Sequence, residues 1–390
     1  MGSKIISNYL PEIFALSLNR TKPSKVAVNL TNRCNQRCIY CEIGQNGPAP
    51  VKSNLCFNDL RWILDEMHKN KICKISLCGG EPFLFDSIID VVAYAATKSV
   101  RCSITSNGMT AHALNDNDLA ILKDCKAEIN ISVDSFQDDI QSVSRGTSSA
   151  LSNALKSIQK LCENGIPVTL LCVISKYNFR DLSNVFIKAH EIGLKKVLFQ
   201  PVIYYSNYPE RSTLENKSSL NVSPDQFDIL LLELSRILEF EKKNNISSNV
   251  YRIIPWISAY LLKAGGQGST WFFKDLLNKF YCRDLYAIVD IAYDGGIQPC
   301  GLVQSSISIM NNRDLGLIAL WTNATEKIKF DLSQGHYYEC CNGCCHHFSR
   351  NMLASMIKYP LNNRLAVVKM IPLLLARAKN RMYKNLFVKN

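Results

Sequence analysis

The chain has 390 residues, 47% apolar and 20% charged, enough for two or three domains with a sizeable core and too apolar for wholesale disorder. Lys and Arg exceed Asp and Glu by 12, but nine Lys/Arg and no acid follow His347, so the first 347 residues carry only +3. That distribution excludes a general nucleic-acid surface and assigns the basicity to a tail.

Sixteen cysteines in so long a chain are a poor match to a disulfide scaffold. Met1–Arg20 has no signal-peptide pattern, and no uncharged apolar run reaches the ~18 residues that span a bilayer. A cytoplasmic protein with thiols or metal ligands is expected.

From Lys25 to about Pro201 the pattern strand, polar turn, helix repeats. Strands are predicted at Lys25–Leu30, Lys74–Cys78, Val100–Thr105, Glu128–Val133, Val168–Ile174 and Lys196–Gln200, short and apolar enough to be buried on both faces. Helices are predicted at Asn58–Lys69, Ser87–Thr97, Asp116–Lys123, Ser149–Glu163 and Arg180–Ile192, with Gly165 and Gly193 in C-cap positions. Six βα units in series imply an α/β fold with a parallel sheet, as an open doubly wound sheet or a barrel. Residues 206–280 are polar and read as a helical insertion, with Pro224 opening a helix over Asp225–Lys243. Residues 281–347 carry a strand, an Asp294-Gly295-Gly296 turn and a dense cysteine group, a small α+β unit. Residues 1–24 are an N-terminal extension, and residues 348–390 a basic helical tail.

Directly after the first strand stands Cys34-Asn35-Gln36-Arg37-Cys38-Ile39-Tyr40-Cys41. Three thiolates at spacings of four and three can reach one metal centre from a single loop. Three ligands are too few to close a four-iron cluster, so one iron keeps an open position, as a catalytic cluster needs. A structural zinc loop is the alternative, although the first His after the triplet is His68.

The run resembles the CxxxCxφC signature of radical S-adenosylmethionine (SAM) enzymes, with Tyr40 as the aromatic residue. The resemblance continues at each later strand end, through Gly79-Gly80-Glu81-Pro82, Thr105-Ser106-Asn107-Gly108, Ser132-Val133-Asp134 and Arg145-Gly146. It covers Lys25 to about Pro201 and implies a partial (β/α)6 TIM-like barrel. It further implies that Cys34, Cys38 and Cys41 hold a catalytic 4Fe–4S cluster. Gly79, Gly80 and Glu81 would then hold the SAM amino group, Arg145 its carboxylate, and Ser106, Asn107, Ser132 and Asp134 the ribose end. Ligand sites of parallel α/β sheets lie at the carboxyl ends of the strands, where all these motifs fall. Gln200 and Tyr204, beyond the sixth strand, are expected to face substrate.

The second cysteine group is Cys282, Cys300 and Cys340-Cys341-Asn342-Gly343-Cys344-Cys345. A Gly-turn hairpin brings Cys282 and Cys300 together, and with Cys341 and Cys344 four thiolates can enclose one further, fully ligated cluster or a zinc ion. Cys340 and Cys345 are rival ligands. This stretch resembles the SPASM/Twitch extension of radical SAM enzymes, as does Leu315-Gly316 followed by Leu320-Trp321. No Cys follows Cys345, which favours the shorter Twitch form with one auxiliary 4Fe–4S cluster.

The resemblance implies reductive cleavage of SAM to a 5′-deoxyadenosyl radical, fed by a one-electron donor such as flavodoxin or ferredoxin. Only about 24 residues precede the first strand, whereas many peptide maturases of this kind carry a leader-binding domain there. The expected substrate is therefore a small, sugar- or cyclitol-like alcohol that is oxidised or epimerised. A peptide maturase forming crosslinks or epimers is the alternative, and a non-catalytic metal-binding scaffold a third reading. The tail alternates apolar and basic residues, which suits peripheral contact with the inner face of a membrane or a helix docked on the barrel.

Overall fold

The computed structural model describes residues 22–41, 43, 54–202, 220, 222–251, 253–254, 281–300, 303, 305–336 and 338. The expected strands form as β1 (Lys25–Thr31), β2 (Lys74–Gly79), β3 (Arg101–Ser106), β4 (Glu128–Ser132), β5 (Val168–Ile174) and β6 (Lys196–Pro201). Between them lie α1 (Phe57–Lys69), α2 (Ile88–Thr97), α3 (Asp116–Asp124), α4 (Asp138–Arg145), α5 (Ala150–Glu163) and α6 (Leu182–Glu191). Each strand pairs in parallel with the next, Val26 opposite Ile75 and Leu170 opposite Val197. Every crossover carries a helix that the sequence pattern predicts. The one between β4 and β5 holds a further helix, α4, which the pattern reading missed.

One face of these strands is fully buried. Val26, Val28, Leu30, Leu77, Ile104, Ile129, Ile131 and Leu170 are all 0% exposed. They share a core with Leu60, Ile63 and Leu64 of α1, Val91 of α2 and Leu122 of α3. The other face differs from the expectation of strands buried on both sides. Asn29, Ser76, Ser103, Thr105, Asn130 and Thr169 are only half-buried, and they bond to one another, Ser76 to Ser103 at 3.1 Å and Asn130 to Thr105 at 3.2 Å. Hydroxyls and amides are cheap to place where partners or water remain within reach. A partial barrel keeps its inner face in that condition, so polar residues recur there at period two.

The sheet extends beyond the six strands at both ends. After α7 (Phe227–Lys243), β7 (Ser247–Ser248) pairs with β6. The hairpin β8 (Ile288–Ile291) and β9 (Ile297–Gln298) joins at the other edge, with β8 parallel to β1 and Lys25 opposite Ile288. The strand order is β7-β6-β5-β4-β3-β2-β1-β8-β9, an open, mainly parallel sheet. The last described helix, α8 (Leu317–Ser333), is capped by Gly316 and carries Leu320 and Trp321. It rests on α1: the Leu317 amide donates to Glu66 Oε2 at 2.9 Å, and Arg313 pairs with Asp59. Trp321 Nε1 donates to the Ile288 carbonyl at 2.9 Å, tying α8 to β8. Among the described residues no helix is long and apolar enough to cross a membrane.

Candidate active site

The three-cysteine loop leaves the carboxyl end of β1 and is gripped from two sides. On one side the Gly80 amide donates to the Thr31 carbonyl at 2.7 Å and the Glu81 amide to the Arg33 carbonyl at 2.8 Å. A Cβ on Gly80 would stand 2.0 Å from the Arg33 oxygen, so only glycine lets the two backbones approach. On the other side the loop closes the end of α4. The amides of Arg37 and Ile39 donate to the Arg145 and Ser144 carbonyls at 3.1 Å each, satisfying carbonyls that a helix end leaves without intrahelical partners. Gly146 ends that helix at φ 64°, and a Cβ there would lie 2.2 Å from the Arg37 oxygen.

Within the loop Cys38 is 8% exposed, while Cys34 and Cys41 are half-buried. Burial pushes the Cys38 thiol up to about 12; the Arg145 cation opposes the shift, and Cys41, Asp134 and Cys34 reinforce it. Burial also raises Cys34, against a hydrogen bond from the Gln36 backbone amide, with Cys41 and Glu81 adding to the rise. Cys34 and Cys41 carry free thiols.

The remaining motif residues form two buried networks around this loop. Glu81 is 0% exposed. Its carboxylate accepts from Ser106 Oγ at 2.8 Å, the Asn107 amide at 2.8 Å and the Phe83 amide at 3.1 Å. A carboxylate has about four acceptor positions, so roughly one remains for a ligand ammonium. Burial raises the Glu81 pKa and the three donors oppose it. The second network is centred on Asp134, also 0% exposed. Its Oδ1 accepts from Arg145 Nη2 at 2.6 Å and the Val173 amide at 2.8 Å, and its Oδ2 from Tyr40 Oη at 2.6 Å. The Arg145 guanidinium also lies over the Tyr40 ring, 5.5 Å from its centroid. Asp134, Arg145 and Tyr40 thus engage one another and fasten the loop to β4, β5 and α4.

Ser132 is half-buried at the carboxyl end of β4, and Gln200 is exposed on β6. Tyr204 lies outside the described residues, as do Cys340, Cys341, Cys344 and Cys345 and the tail 348–390. Cys282 and Cys300 are both half-buried. The hairpin pairs Asp290 with Gln298; Cys300 lies two residues past that pair, and β8 begins at Ile288. Cys282 stands before that point, with a single 3-10 turn, Arg283–Tyr286, in between.

Sequence reasoning passed over Gln36, Gln141 and Asn178. Gln141 Oε1 accepts from the Asp134 and Ser135 amides at 2.8 and 3.2 Å, and Asn178 Nδ2 donates to the Asp134 carbonyl at 2.9 Å. A signal for the first existed. Asp138 and Asp139 ahead of Gly146 have the charge and cap of a short helix, and that helix carries Gln141.

Residues 28–197 match the Radical SAM superfamily. This barrel belongs to the radical SAM superfamily. The match ends within the sixth strand and so takes in both networks and the cysteine loop. Fe-coproporphyrin III synthase of Methanosarcina barkeri is 26% identical over 227 residues, 57% of this chain and 55% of that protein. The PqqA peptide cyclase of Granulibacter bethesdensis is 26% identical over 212 residues, 53% of each. The chain therefore spans about half the length of these curated relatives. Among solved structures, Streptococcus suis SuiB bound to precursor peptide SuiA shares the fold at TM-score 0.59 and 15% identity, over 84% of this chain and 72% of that one.

Radical SAM enzymes use a 4Fe–4S cluster and SAM, and the residues present fit the cluster. Among the described residues no three Cys, His, Asp or Glu side chains are grouped to hold a single metal ion. The three thiols nevertheless lie close enough to act on one another electrostatically. Three thiols from one loop suit a polynuclear cluster, where each thiolate takes a different iron, better than a structural zinc, which takes four ligands. Gln36, 1% exposed and set between two of the cysteines, carries a buried Nε2 with no hydrogen-bond partner, as expected beside a site for an anionic group.

Proposed function

We propose that this radical SAM chain modifies a peptide. The observation that carries the reading is the kind of protein it resembles: one relative is named a peptide cyclase, and the SuiB fold is seen with a precursor peptide. A sugar- or cyclitol-like alcohol, favoured by the shortness of the N-terminal extension, has less support, because the distance from Met1 to β1 carries no weight against that resemblance. The half-exposed inner face of the sheet, with its hydroxyls and amides, suits the backbone of an extended chain.

When bound, the reduced cluster and SAM supply a 5′-deoxyadenosyl radical able to abstract a hydrogen atom from an unactivated carbon. The protein's part is to bind, orient and exclude water. Cys34, Cys38 and Cys41 would hold the cluster, with Gly79, Gly80 and Glu81 at the SAM amino group. Ser106 and Asn107 would reach SAM only beyond their bonds to Glu81. Asp134 and Arg145 are positioned to neutralise each other and to brace Tyr40. Cys282 and Cys300 would begin an auxiliary cluster completed from Cys340, Cys341, Cys344 and Cys345. A flavodoxin or ferredoxin would deliver the electron, and the basic tail would allow contact with an anionic membrane surface.

The test is anaerobic incubation of reconstituted full-length protein with SAM, reductant and either mixed-sequence synthetic peptides or a panel of sugars and aminocyclitols. Peptide-stimulated release of 5′-deoxyadenosine is expected, with a product two mass units lighter for a crosslink or of equal mass for an epimer. Stimulation by the alcohols alone would overturn the peptide reading.

A further inference from the structure

We propose that the side-chain amides of Gln36 and Asn107 donate hydrogen bonds to the ligating sulfurs of Cys38 and Cys34 and so raise the reduction potential of the cluster those cysteines hold. The inference rests on the reading of Cys34, Cys38 and Cys41 as cluster ligands.

Asn107 is oriented by its neighbours. Its backbone amide is fixed on Glu81 at 2.8 Å, and its Oδ1 accepts from the Met109 amide at 2.9 Å. The oxygen being taken, Nδ2 is the atom that faces the loop, 3.6 Å from Cys34 Sγ and 2.7 Å from Asn35 Oδ1. This amide cannot turn over without losing the bond from Met109. Glu81, Ser106 and Asn107 therefore work as one arm that ends on a ligating sulfur.

Gln36 presents the complementary case. Its Oε1 lies 3.6 Å from Cys38 Sγ, accepting from the thiol, while its Nε2 is buried without a partner. Iron-bound Cys38 is a thiolate and has no proton to give, so two acceptors would then face each other. A half-turn of the amide, which exchanges two groups of nearly equal size, sets Nε2 on Sγ and gives the stranded donor its acceptor. The backbone holding Gln36 is pinned on both sides by Gly80 and Gly146, so the amide already stands beside Cys38 and only its half-turn remains to be made.

Reduction adds one electron from the external donor to the cluster, with no proton taken up. Donors to the sulfurs stabilise the more negative state, so each bond favours the reduced cluster. Removing one should lower the reduced-to-oxidised ratio at a fixed potential about tenfold, or about 59 mV for a one-electron couple.

The experiment is an EPR-monitored redox titration of the reconstituted full chain without SAM, comparing the unsubstituted protein with Gln36→Met and Asn107→Leu. Both replacements keep side-chain bulk and remove the donor. A lower midpoint at unchanged iron content in at least one variant is expected. Unchanged midpoints in iron-replete variants would overturn the proposal. So would loss of the cluster from both variants with the fold intact, since the amides would then hold the loop rather than tune it. If the unsubstituted protein takes up no iron, the cluster-ligand reading itself fails.

Discussion

Arg145 Nη2 lies 2.6 Å from Asp134 Oδ1, with the two side chains 6% and 0% exposed. The same carboxylate holds Tyr40 of the cysteine loop through its second oxygen. A buried pair of this kind is costly to break because removing one partner leaves the other charged and unsolvated. Arg145→Met should therefore lose about 3–5 kcal/mol of stability. Adding Asp134→Asn removes the stranded charge, keeps an acceptor for the Val173 amide and turns an NH2 donor toward Tyr40 Oη, which can accept, so the double variant should recover at least half. Urea unfolding of the three proteins checks this, and a double variant no better than the single one would deny the charge pairing its role.

Gly146 and Gly193 both have positive φ, 64° and 87°, but differ in surroundings. A Cβ on Gly193 meets nothing within 4 Å, whereas on Gly146 it meets the Arg37 carbonyl at 2.2 Å. Gly193→Ala should cost only the ~1 kcal/mol of a left-handed residue. Gly146→Ala should cost roughly 2–4 kcal/mol through overpacking added to that strain. It should also displace the loop, so that iron retained after reconstitution falls several-fold, a loss that Gly193→Ala does not share.

The two cysteine groups predict different failures. Iron analysis of the reconstituted chain should give about eight atoms, four for each cluster. Cys38→Ala should abolish SAM cleavage. Cys300→Ala should keep some cleavage and lose product. An iron count near four with zinc present would remove the auxiliary cluster, and full product from Cys300→Ala would leave it without a catalytic role.

Asp290 on β8 supplies a pH dependence. Burial lifts its carboxyl to about 7; Asp284 adds to the rise and Lys25 opposes it, with the Cys78 thiol nearby on β2. Unfolded, the same carboxyl titrates near 3.9. Between these values the folded state holds a proton that the unfolded state has released, so stability falls as pH rises from about 4 to 7 and then levels. The full linkage is about 4 kcal/mol, and the half-exposed position reduces the expectation to about 2 kcal/mol. Asp290→Asn should flatten this slope, most visibly as a higher midpoint than the unsubstituted protein at pH 8 and none at pH 4.5.

The strands and most helices could be read in the sequence because local pattern specifies them. Lys25–Leu30 or Val168–Ile174 is a β-branched run between turn residues, and the structure moves their ends by one residue or none. The cysteine loop and the glycine-rich turn after β2 were legible for the same reason, being contiguous. What was missed depends on non-local contact. Residues of β2–β5 such as Ser76 and Thr169 look like interruptions in apolar strands until the open barrel gives them a half-wet face. Arg145 reads as a ligand clamp, and its bond to Asp134, eleven residues earlier, comes from contact that the local pattern does not reveal. Gln36 has no motif at all, and its importance comes from a donor left without a partner.

The pairing of β8 with β1 joins residues 263 positions apart. During synthesis β1 thus meets one neighbour, β2, early, while its other edge waits for a partner that lies 263 residues further along. At about 5–20 residues per second that wait lasts on the order of tens of seconds. During it an apolar strand offers unpaired amides and carbonyls to any passing chain. Synthesis, rather than the finished molecule, is therefore the aggregation-prone stage, and assistance that shields β1 until the hairpin arrives should raise the yield of folded protein more than any change to the completed sheet.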